Sequence, residues 1–239
     1  METKVYNMHD EFDEDFWYVK VRNDLIEKTI PYYATDNLNI VDMGCGTGRQ
    51  FDLLAIYGDV YCVDNNKKAI EACKKRGAEK LIFADVSDTK IKSKSIDYVV
   101  ALDLIEHLDD DKGFLDEAYR ILKPGGKLIL TFPAFKSLWS VDDDMAHHKR
   151  RYTKKSFRNL VKSTDFKIKK LSYRYFFISI PSMFLFLLQK IKRKKVNSLN
   201  MSPRFLNRFL TAIGNFENSL ITKNIGMPFG ISIFSVLKK

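Results

Sequence analysis

The sequence Ile40-Val41-Asp42-Met43-Gly44-Cys45-Gly46-Thr47-Gly48 places three glycines within five residues, directly after an apolar run. A continuous apolar run is typical of a strand that is buried on both faces of a parallel sheet. Glycine at alternate positions lets the chain turn sharply and lets a ligand lie against the backbone. Residues 49–54 then have the apolar spacing of a helix. The stretch therefore predicts a nucleotide-type site at the carboxyl edge of a parallel sheet.

Apolar runs that predict strands alternate with helical patterns through the first 132 residues. This alternation is typical of a parallel sheet with helices on both faces. A strand at 127–132 follows the turn signal of residues 123–126. The predicted strands before it are 38–43, 60–64, 81–84 and 96–102, and the predicted helices are 11–33, 49–57, 66–76 and 114–122.

Four of the predicted strands in succession end in an aspartate, and these are Asp42, Asp64, Asp85 and Asp103. One such carboxylate is readily explained as a cap for the helix that follows. Four at the same edge of a sheet are better explained by a shared ligand-binding crevice. Asp64, at the end of the second strand, is placed to accept both ribose hydroxyls of a nucleoside held on the first loop.

The spacing of the three glycines limits the class of ligand that the loop could bind. Gly44, Gly46 and Gly48 lack the spacing of the dinucleotide fingerprint, and no Lys-Ser or Lys-Thr ending of a P-loop follows them. A pyrophosphate seat is therefore disfavoured. Close approach of the backbone to a smaller zwitterionic ligand is favoured.

Residues 41–48 resemble the first motif of class I S-adenosylmethionine-dependent methyltransferases. Asp64, Asp85-Val86 and the stretches 102–108 and 122–128 are similar to the later motifs, in order and at the usual spacing. The resemblance covers about residues 38–135. It implies a doubly wound α/β fold with a seven-stranded, mainly parallel sheet and an antiparallel last hairpin. Alternating patterns at 166–171 and 230–237 are consistent with that hairpin.

The resemblance also implies how S-adenosylmethionine is held as the cofactor. The glycine loop would contact the methionine part, with Asp42 near its amino group. Asp64 would hold the ribose, and Asp85 and Val86 the adenine. The cofactor-binding residues predicted in this way are Asp42, Gly44, Cys45, Gly46, Gly48, Asp64, Asn65, Asp85, Val86, Asp103 and Leu104.

Transfer of a methyl group from a sulfonium is an in-line displacement, so alignment of donor and acceptor is the main task of the enzyme. A hydroxyl acceptor also needs a base, and histidine is suited to that role near neutral pH. Glu106, His107 and His148 are the predicted catalytic residues. A structural role at the start of a helix is the alternative for Glu106 and His107.

Four residues of the stretch 139–153 are predicted to bind the acceptor, and a phosphate or carboxylate would be held bidentately by the arginines. Solvated surface charge, with a tyrosine that anchors it, is the alternative reading of this basic cluster. The predicted acceptor-binding residues are His147, Arg150, Arg151 and Tyr152.

The segment Asp103-x-x-Glu106-His107 with a later histidine also resembles the divalent-metal site of ubiquinone-pathway and small-RNA methyltransferases. The later histidine would be His147 or His148. Asp103 stands where glutamate is common in those sites. A divalent metal is therefore an alternative that we do not expect. A looser resemblance of residues 16–18, 139–153 and 228–232 points to methyltransferases of cell-envelope glycan and lipid pathways.

The net charge of +10 is unevenly distributed along the chain. Residues 1–145 carry 19 Lys and Arg against 28 Asp and Glu, whereas residues 146–239 carry 21 against 2. The basic C-terminal part predicts a polyanionic neighbour. An apolar stretch at 175–188 precedes the basic run 190–195, and a second helical pattern covers 203–220. We interpret the apolar stretch as an interfacial helix beside anionic lipid, with a buried core helix as the alternative.

The predicted organisation has four parts: an N-terminal helical lid at 1–37, a cofactor-binding domain at 38–174, an apolar-basic helical insert at 175–229 and a final strand at 230–239. The first 15 residues lack the pattern of a signal or transit peptide. Cys45, Cys62 and Cys73 have spacings that indicate neither a disulfide framework nor a zinc cluster. We therefore expect a cytoplasmic protein, peripheral at the inner membrane face.

The leading functional hypothesis is methyl transfer, at oxygen, to a small-molecule, lipid or lipid-linked acceptor. An RNA methyltransferase that uses the basic C-terminal region is the first alternative, and the apolar stretch at 175–188 makes nucleic acid the less favoured partner. A non-catalytic, membrane-associated binding module is the second alternative. The sequence leaves the oligomeric state open.

Overall fold

In the computed structural model, which describes residues 15–30, 37–179 and 204–239, seven strands form one sheet. The strands run in the order β3-β2-β1-β4-β5-β7-β6 across the sheet. Pairing from β3 to β5 is parallel, and β7 is antiparallel to both of its neighbours. The predicted fold class is thereby confirmed. The strands are β1 (Leu38–Met43), β2 (Gly58–Asp64), β3 (Lys80–Phe83), β4 (Ile96–Leu102), β5 (Leu122–Pro133), β6 (Lys167–Arg174) and β7 (Ser232–Lys238).

Five of the seven helices named below lie where a helical pattern was predicted, with different ends, and the helices at 141–145 and 154–162 were not predicted. Polar caps set several of these ends: the Asn66 side chain accepts from the Lys68 amide, and Thr153 and Ser156 form a capping box. Residues 11–14 and 31–33 of the predicted first helix lie outside the described residues. The helices are α1 (Trp17–Glu27), α2 (Phe51–Ala55), α3 (Lys67–Lys75), α4 (Asp111–Ile121), α5 (Val141–Met145), α6 (Lys154–Lys162) and α7 (Arg204–Thr222).

The central strands supply the core. Nearly every residue in the middle of β1, β4 and β5 is fully buried, as the continuous apolar runs predict for strands that are covered on both faces. Residues 123–126 differ from the expectation of a simple turn. Ile96 pairs with Leu122 and Tyr98 with Lys127, so the intervening residues leave the ladder as a bulge within β5. Gly125 has a φ of +85° there.

The N-terminal helix and the helix of the insert pack against each other. Gly214 of α7 lies so close to α1 that a Cβ atom on it would be 2.5 Å from Cγ2 of Val21. The Asn218 side chain donates to the Val21 carbonyl at 2.7 Å, and Asn207 accepts from the Trp17 amide at 2.7 Å. The predicted lid and insert are therefore in direct contact.

Part of the predicted insert cannot be compared with the structure, because residues 180–203 lie outside the described residues. They include most of the apolar stretch 175–188 and the whole basic run 190–195. Among the helices that are described, none combines the length and the apolar character needed to cross a bilayer.

Candidate functional site

The glycine loop after β1 forms an open cradle over the sheet edge. Gly44, Gly46 and Gly48 have φ angles of +75°, +53° and +75°, which a residue with a side chain rarely adopts. A Cβ atom on Gly46 would have no neighbour within 4 Å, so the space over its backbone is open to a ligand. A Cβ atom on Gly44 would be 2.6 Å from Cδ1 of Leu104. The predicted Leu104 therefore lies directly against the loop.

Asp64 joins this loop to the end of β2. Its Oδ2 accepts from the Gly46 amide at 3.0 Å, and its Oδ1 accepts from the Asn66 amide at 2.9 Å. Burial raises the pKa of this carboxyl, and the two backbone hydrogen bonds oppose the shift. Each oxygen keeps a second lone pair for an external donor. The carboxylate is thus held at the position that the sequence assigns to ribose binding.

Asp42 is buried beneath the loop, and its Oδ2 has no hydrogen-bond partner in the described part of the chain. Burial and the neighbouring Cys73 raise the pKa of Asp42 to about 7, while Arg22 acts in the opposite direction. A buried oxygen without a donor is costly. It fits the predicted place of the cofactor's ammonium group, which would supply that donor. Together with the open space over Gly46, it shows that these residues fit S-adenosylmethionine.

The predicted adenine end of the site lies past β3. Val86 is buried, and Asp85 is exposed with its Oδ1 accepting from the amide and the hydroxyl of Ser87 at 2.8 and 2.6 Å. Asn65 is exposed directly after Asp64. All three side chains lie at the carboxyl edge of the sheet, next to the strand that carries Asp64.

Asp103 follows β4 with a φ of +52°, a conformation that is costly for a residue with a Cβ atom. Its amide donates to the Thr131 carbonyl at 2.8 Å, and its Oδ1 accepts from the Thr131 hydroxyl at 3.1 Å. Its Oδ2 accepts from the Tyr18 hydroxyl at 2.8 Å and lies 3.8 Å from Nη1 of Arg22. The contacts from α1 to Asp103 were not predicted individually, because sequence periodicity shows only that Tyr18 adds aromatic bulk to a covering helix.

The three predicted catalytic residues are brought together beside Asp103. Ligand atoms of Glu106, His107 and His148 all lie within 4.8 Å of one another, and the two imidazole rings meet edge to face at 4.7 Å. Glu106 is fully buried, neither of its carboxyl oxygens has a hydrogen-bond partner among the described residues, and burial raises its pKa well above the usual range. Burial therefore disfavours the ionised form of this carboxyl.

Asp143, a residue that the sequence did not single out, orients His148. Its Oδ1 is 2.8 Å from Nδ1 of His148, and both of its oxygens accept from Arg151, at 2.6 and 2.8 Å. Burial alone would raise the pKa of Asp143, but the hydrogen bonds from His148 and Arg151 hold it far below its usual range. An ionised Asp143 accepts a hydrogen bond from Nδ1–H of His148, which selects the imidazole tautomer with its lone pair on Nε2. This is the arrangement of a general base with its orienting carboxylate.

The signal for Asp143 in the sequence is weak. It is the middle residue of Asp142-Asp143-Asp144, and only the fold shows which carboxylate turns inward. Ser140 caps α5 and donates its amide to Asp143 at 2.7 Å, which fixes that side chain.

The predicted acceptor-binding residues have partners within the chain. Arg150 donates to Asp111 at 2.8 Å, and the buried Tyr152 donates to the same carboxylate at 2.8 Å. Arg151 is paired with Asp143, whereas His147 is exposed. Their role as an anion clamp stays a prediction, and it would require the arginines to exchange these partners for the acceptor.

A divalent ion would find one carboxyl and two imidazoles at the cluster of Glu106, His107 and His148, which is a common donor set. The set fits an ion only if Glu106 loses its proton against the cost of burial. Of the two later histidines predicted for such a site, His148 is in the cluster and the exposed His147 is not.

The three cysteines lie close together in the fold. Their spacings indicate no cluster, yet the fold packs the thiols of Cys45, Cys62 and Cys73 within 4.8 Å of one another beneath the glycine loop. Cys62 lies on β2 opposite Asp42 and Cys73 lies on α3, so the contact arises only when the sheet forms. All three are buried free thiols.

Comparisons with known proteins agree with this geometry. The profile of a methyltransferase domain matches residues 41–130. Ubiquinone biosynthesis O-methyltransferases are similar: the mitochondrial protein of Dictyostelium discoideum is 26% identical over 47% of this chain and 40% of its own length. The Xylella fastidiosa protein is 28% identical over 46% of this chain and 47% of its own length. The chain spans about half the length of the curated relatives it matches.

Solved structures share the fold. A methyltransferase of Archaeoglobus fulgidus that depends on S-adenosylmethionine superposes with a TM-score of 0.56 at 20% identity, over 93% of each chain. Phosphoethanolamine N-methyltransferase 2 of Haemonchus contortus, solved with S-adenosyl-L-methionine, superposes with a TM-score of 0.59 at 17% identity, over 91% of this chain and 52% of its own.

Proposed function

We propose that this chain, whose residues 41–130 form a methyltransferase domain on the class I S-adenosylmethionine-dependent fold, transfers a methyl group to a hydroxyl of a small-molecule, lipid or lipid-linked acceptor. The domain match supports the enzyme class that the sequence predicts, and the fold shared with methyltransferases that depend on S-adenosylmethionine supports the cofactor. The acceptor, the methylated oxygen and a place in a cell-envelope glycan or lipid pathway are the proposal.

The observation that carries the proposal is the pair formed by Asp143 and His148. A hydroxyl is a poor nucleophile until its proton is accepted, whereas an unprotonated amine needs no such base. His148, which Asp143 orients, lies with Glu106 and His107 in one cluster, and those two residues closely follow Asp103, a residue that the resemblance assigns to cofactor binding. The arrangement therefore favours oxygen over nitrogen as the acceptor atom.

S-adenosylmethionine, when bound, supplies an electrophilic methyl group on a sulfonium. The residues of this chain would hold the donor through the Gly46 loop, Asp42 and Asp64. His148 would accept the hydroxyl proton at Nε2, and Asp143 would stabilise the imidazolium that forms. Arg151 keeps Asp143 ionised through a bidentate ion pair. The helix α1 covers this edge through the Tyr18 contact to Asp103.

The peripheral membrane location is supported by one face of α7. Phe205, Phe209 and Phe216 are 81%, 52% and 58% exposed, and they share the face opposite to the one that packs on α1. Arg204 and Arg208 are exposed beside them. Exposed aromatic side chains with cationic neighbours are typical of a helix that lies in the interface of an anionic membrane.

The test of the chemistry uses isotopically labelled S-adenosylmethionine, a lipid and small-molecule extract of cells, and mass analysis of the products. We expect a labelled methyl ether, and we expect His148→Gln to lower kcat by a factor of about 10² to 10⁴. His147→Gln is the matched control, because His147 is adjacent in sequence but exposed. A labelled methylamine, or equal turnover by the His148 variant, would refute base catalysis at oxygen.

The test of the location is sedimentation with vesicles of phosphatidylcholine, with and without phosphatidylglycerol. Replacement of both Phe209 and Phe216 by serine should weaken binding to the anionic vesicles. Ile56→Ser is the matched control, since Ile56 is 65% exposed at the end of α2. Retention of bulk tRNA in a gel shift, without vesicle binding, would contradict the proposed membrane location and support the RNA alternative.

A further inference from the structure

Arg174 is the last residue of β6, and the sheet places it at the edge that carries the cofactor site. Arg174 pairs with Ser232 of β7, and Ser232 pairs with Pro133 at the end of β5. Because β6 and β5 are both antiparallel to β7, their carboxyl ends lie at the same edge. Two residues before Pro133 on β5, Thr131 pairs with Leu102. Leu102 is the last residue of β4 and directly precedes Asp103.

The guanidinium of Arg174 is buried with two of its donor nitrogens unpaired. The side chain is 1% exposed, and its Nε and Nη2 have no hydrogen-bond partner in the described part of the chain. Burial raises the pKa of Glu217 and the charge of Arg174 acts in the opposite direction, but this carboxylate accepts its hydrogen bonds from the amides of Tyr175 and Phe177, at 2.5 and 3.3 Å. The hydroxyl of Tyr175, over whose ring the guanidinium lies at 4.6 Å, is also buried without a partner.

A buried cation with unsatisfied donors is retained at a cost to stability unless a ligand pairs with it. Nε and Nη2 lie on one edge of the guanidinium, and their N–H bonds are the parallel pair that holds a carboxylate or phosphate bidentately. The two unpaired donors of Arg174 are therefore the pair that a bidentate oxyanion requires. Arg150 and Arg151, in contrast, are already paired with Asp111 and Asp143.

Two stacked tyrosine rings lie between Arg174 and Asp103. The Tyr175 ring stacks on Tyr18 with a centroid separation of 5.8 Å, and the Tyr18 hydroxyl donates to Asp103. Tyr175 has a φ of +62°, which is costly for an aromatic residue, and the Glu217 carboxylate holds its amide in place. Local strain of this kind is concentrated at ligand sites.

We propose that the Arg174 guanidinium, with the Tyr175 hydroxyl, binds an oxyanion of the acceptor, a carboxylate or a phosphate, that lies two aromatic rings away from the methyl-transfer site. This subsite rests on the proposed function, because it assigns a chemical class to the acceptor of that reaction. In this proposal Arg174 holds the phosphate or carboxylate of the acceptor, the role that the sequence predicts for Arg150 and Arg151.

The test measures thermal unfolding of the full chain at constant ionic strength against increasing inorganic phosphate, acetate or monomeric dihexanoyl phosphatidic acid. For the wild type, the Tm should rise to a plateau with at least one of the three anions. The anion that is effective shows whether the subsite binds a free phosphate, a carboxylate or a lipid headgroup. Arg174→Met should abolish that rise, and its Tm in chloride should equal or exceed that of the wild type, because an unpaired buried charge has been removed.

Arg174→Lys keeps the charge without the fork and should bind the effective anion about tenfold more weakly or worse. Arg158→Met is the control for unspecific binding, because Arg158 is exposed on α6 and has no place in the proposed sites. A wild-type Tm that responds to none of the anions, or an equal response in Arg174→Met, would overturn the subsite. So would a large fall of the Tm of Arg174→Met in chloride. Calorimetry with S-adenosylhomocysteine separates the two proposals, since Arg174→Met should bind it normally.

Discussion

Replacement of Asp42 by asparagine should remove the pH dependence of cofactor binding. Asp42 is buried, and burial together with the nearby Cys73 raises its pKa to about 7. Its Oδ2 has no partner among the described residues, so the ammonium group of the cofactor would be its first donor. Only the ionised carboxyl attracts that ammonium group. The affinity of the wild type should therefore rise with pH as Asp42 loses its proton.

The magnitude follows from the raised pKa. With a pKa of about 7, the ionised fraction is about 9% at pH 6 and about 76% at pH 7.5. If the ligand binds only the ionised form, the association constant rises about eightfold over this range. The rise should level off above pH 8. A carboxyl with an ordinary pKa near 4 would be fully ionised throughout, and no rise would be seen.

The assay is isothermal titration calorimetry with S-adenosylhomocysteine at constant ionic strength, at intervals of half a pH unit. We expect the wild type to show the rise, and Asp42→Asn to bind more weakly with a flat profile. Asp59→Asn is the control, because Asp59 lies at the opposite end of the neighbouring strand β2. A flat profile for the wild type, or an unchanged slope in the Asp42 variant, would refute the assignment of Asp42 to the ammonium group.

Three further predictions concern the catalytic cluster and the loop. Asp143→Asn should lower the free energy of unfolding in urea by about 3–5 kcal/mol, because it breaks a buried bidentate pair and leaves the guanidinium of Arg151 uncompensated; a loss below about 1 kcal/mol would contradict the importance of that pair. Gly46→Val should weaken binding of S-adenosylhomocysteine more than about tenfold in calorimetry, since the φ of +53° is strained for valine and its side chain would enter the cradle; Gly77→Val, also at a positive φ but outside the loop, should leave binding nearly unchanged. Treatment with EDTA should leave turnover intact, because burial disfavours the ionised Glu106 that a metal ion would need as a ligand; loss of turnover that Mn²⁺ or Zn²⁺ restores would favour the metal alternative.

The fold and the cofactor loop could be predicted from the sequence because their signals are local. A doubly buried strand is an uninterrupted apolar run, and the sharp turn after β1 needs glycine at positive φ, so both leave a readable pattern. Asp64 and Asp103 could be placed at one edge of the sheet because each directly ends or follows a predicted parallel strand. Helix ends were less exact: the helix predicted from residue 66 begins one residue later, after the Asn66 cap, and the helix predicted from residue 114 begins at Asp111.

The contacts that complete the candidate site are long-range, and the sequence did not show them. Tyr18 reaches Asp103 across 85 residues, and Arg151 meets Asp143 only after Ser140 has capped a short helix. The alternation at 166–171 predicts a half-exposed strand, which is no guide to a buried arginine at its end. The burial of Arg174 depends on which elements cover that edge, and no local pattern encodes this.

The central claim is that the glycine loop and Asp64 bind S-adenosylmethionine, and calorimetric titration with S-adenosylhomocysteine tests it most directly. The wild type should bind one equivalent per chain. Asp64→Ala should weaken binding by at least about tenfold, because the carboxylate that accepts from Gly46 and from the ribose hydroxyls is lost. Asp59→Ala, at the far end of the same strand, should bind as the wild type does. Absence of binding by the wild type, or equal affinity of the Asp64 variant, would contradict the account.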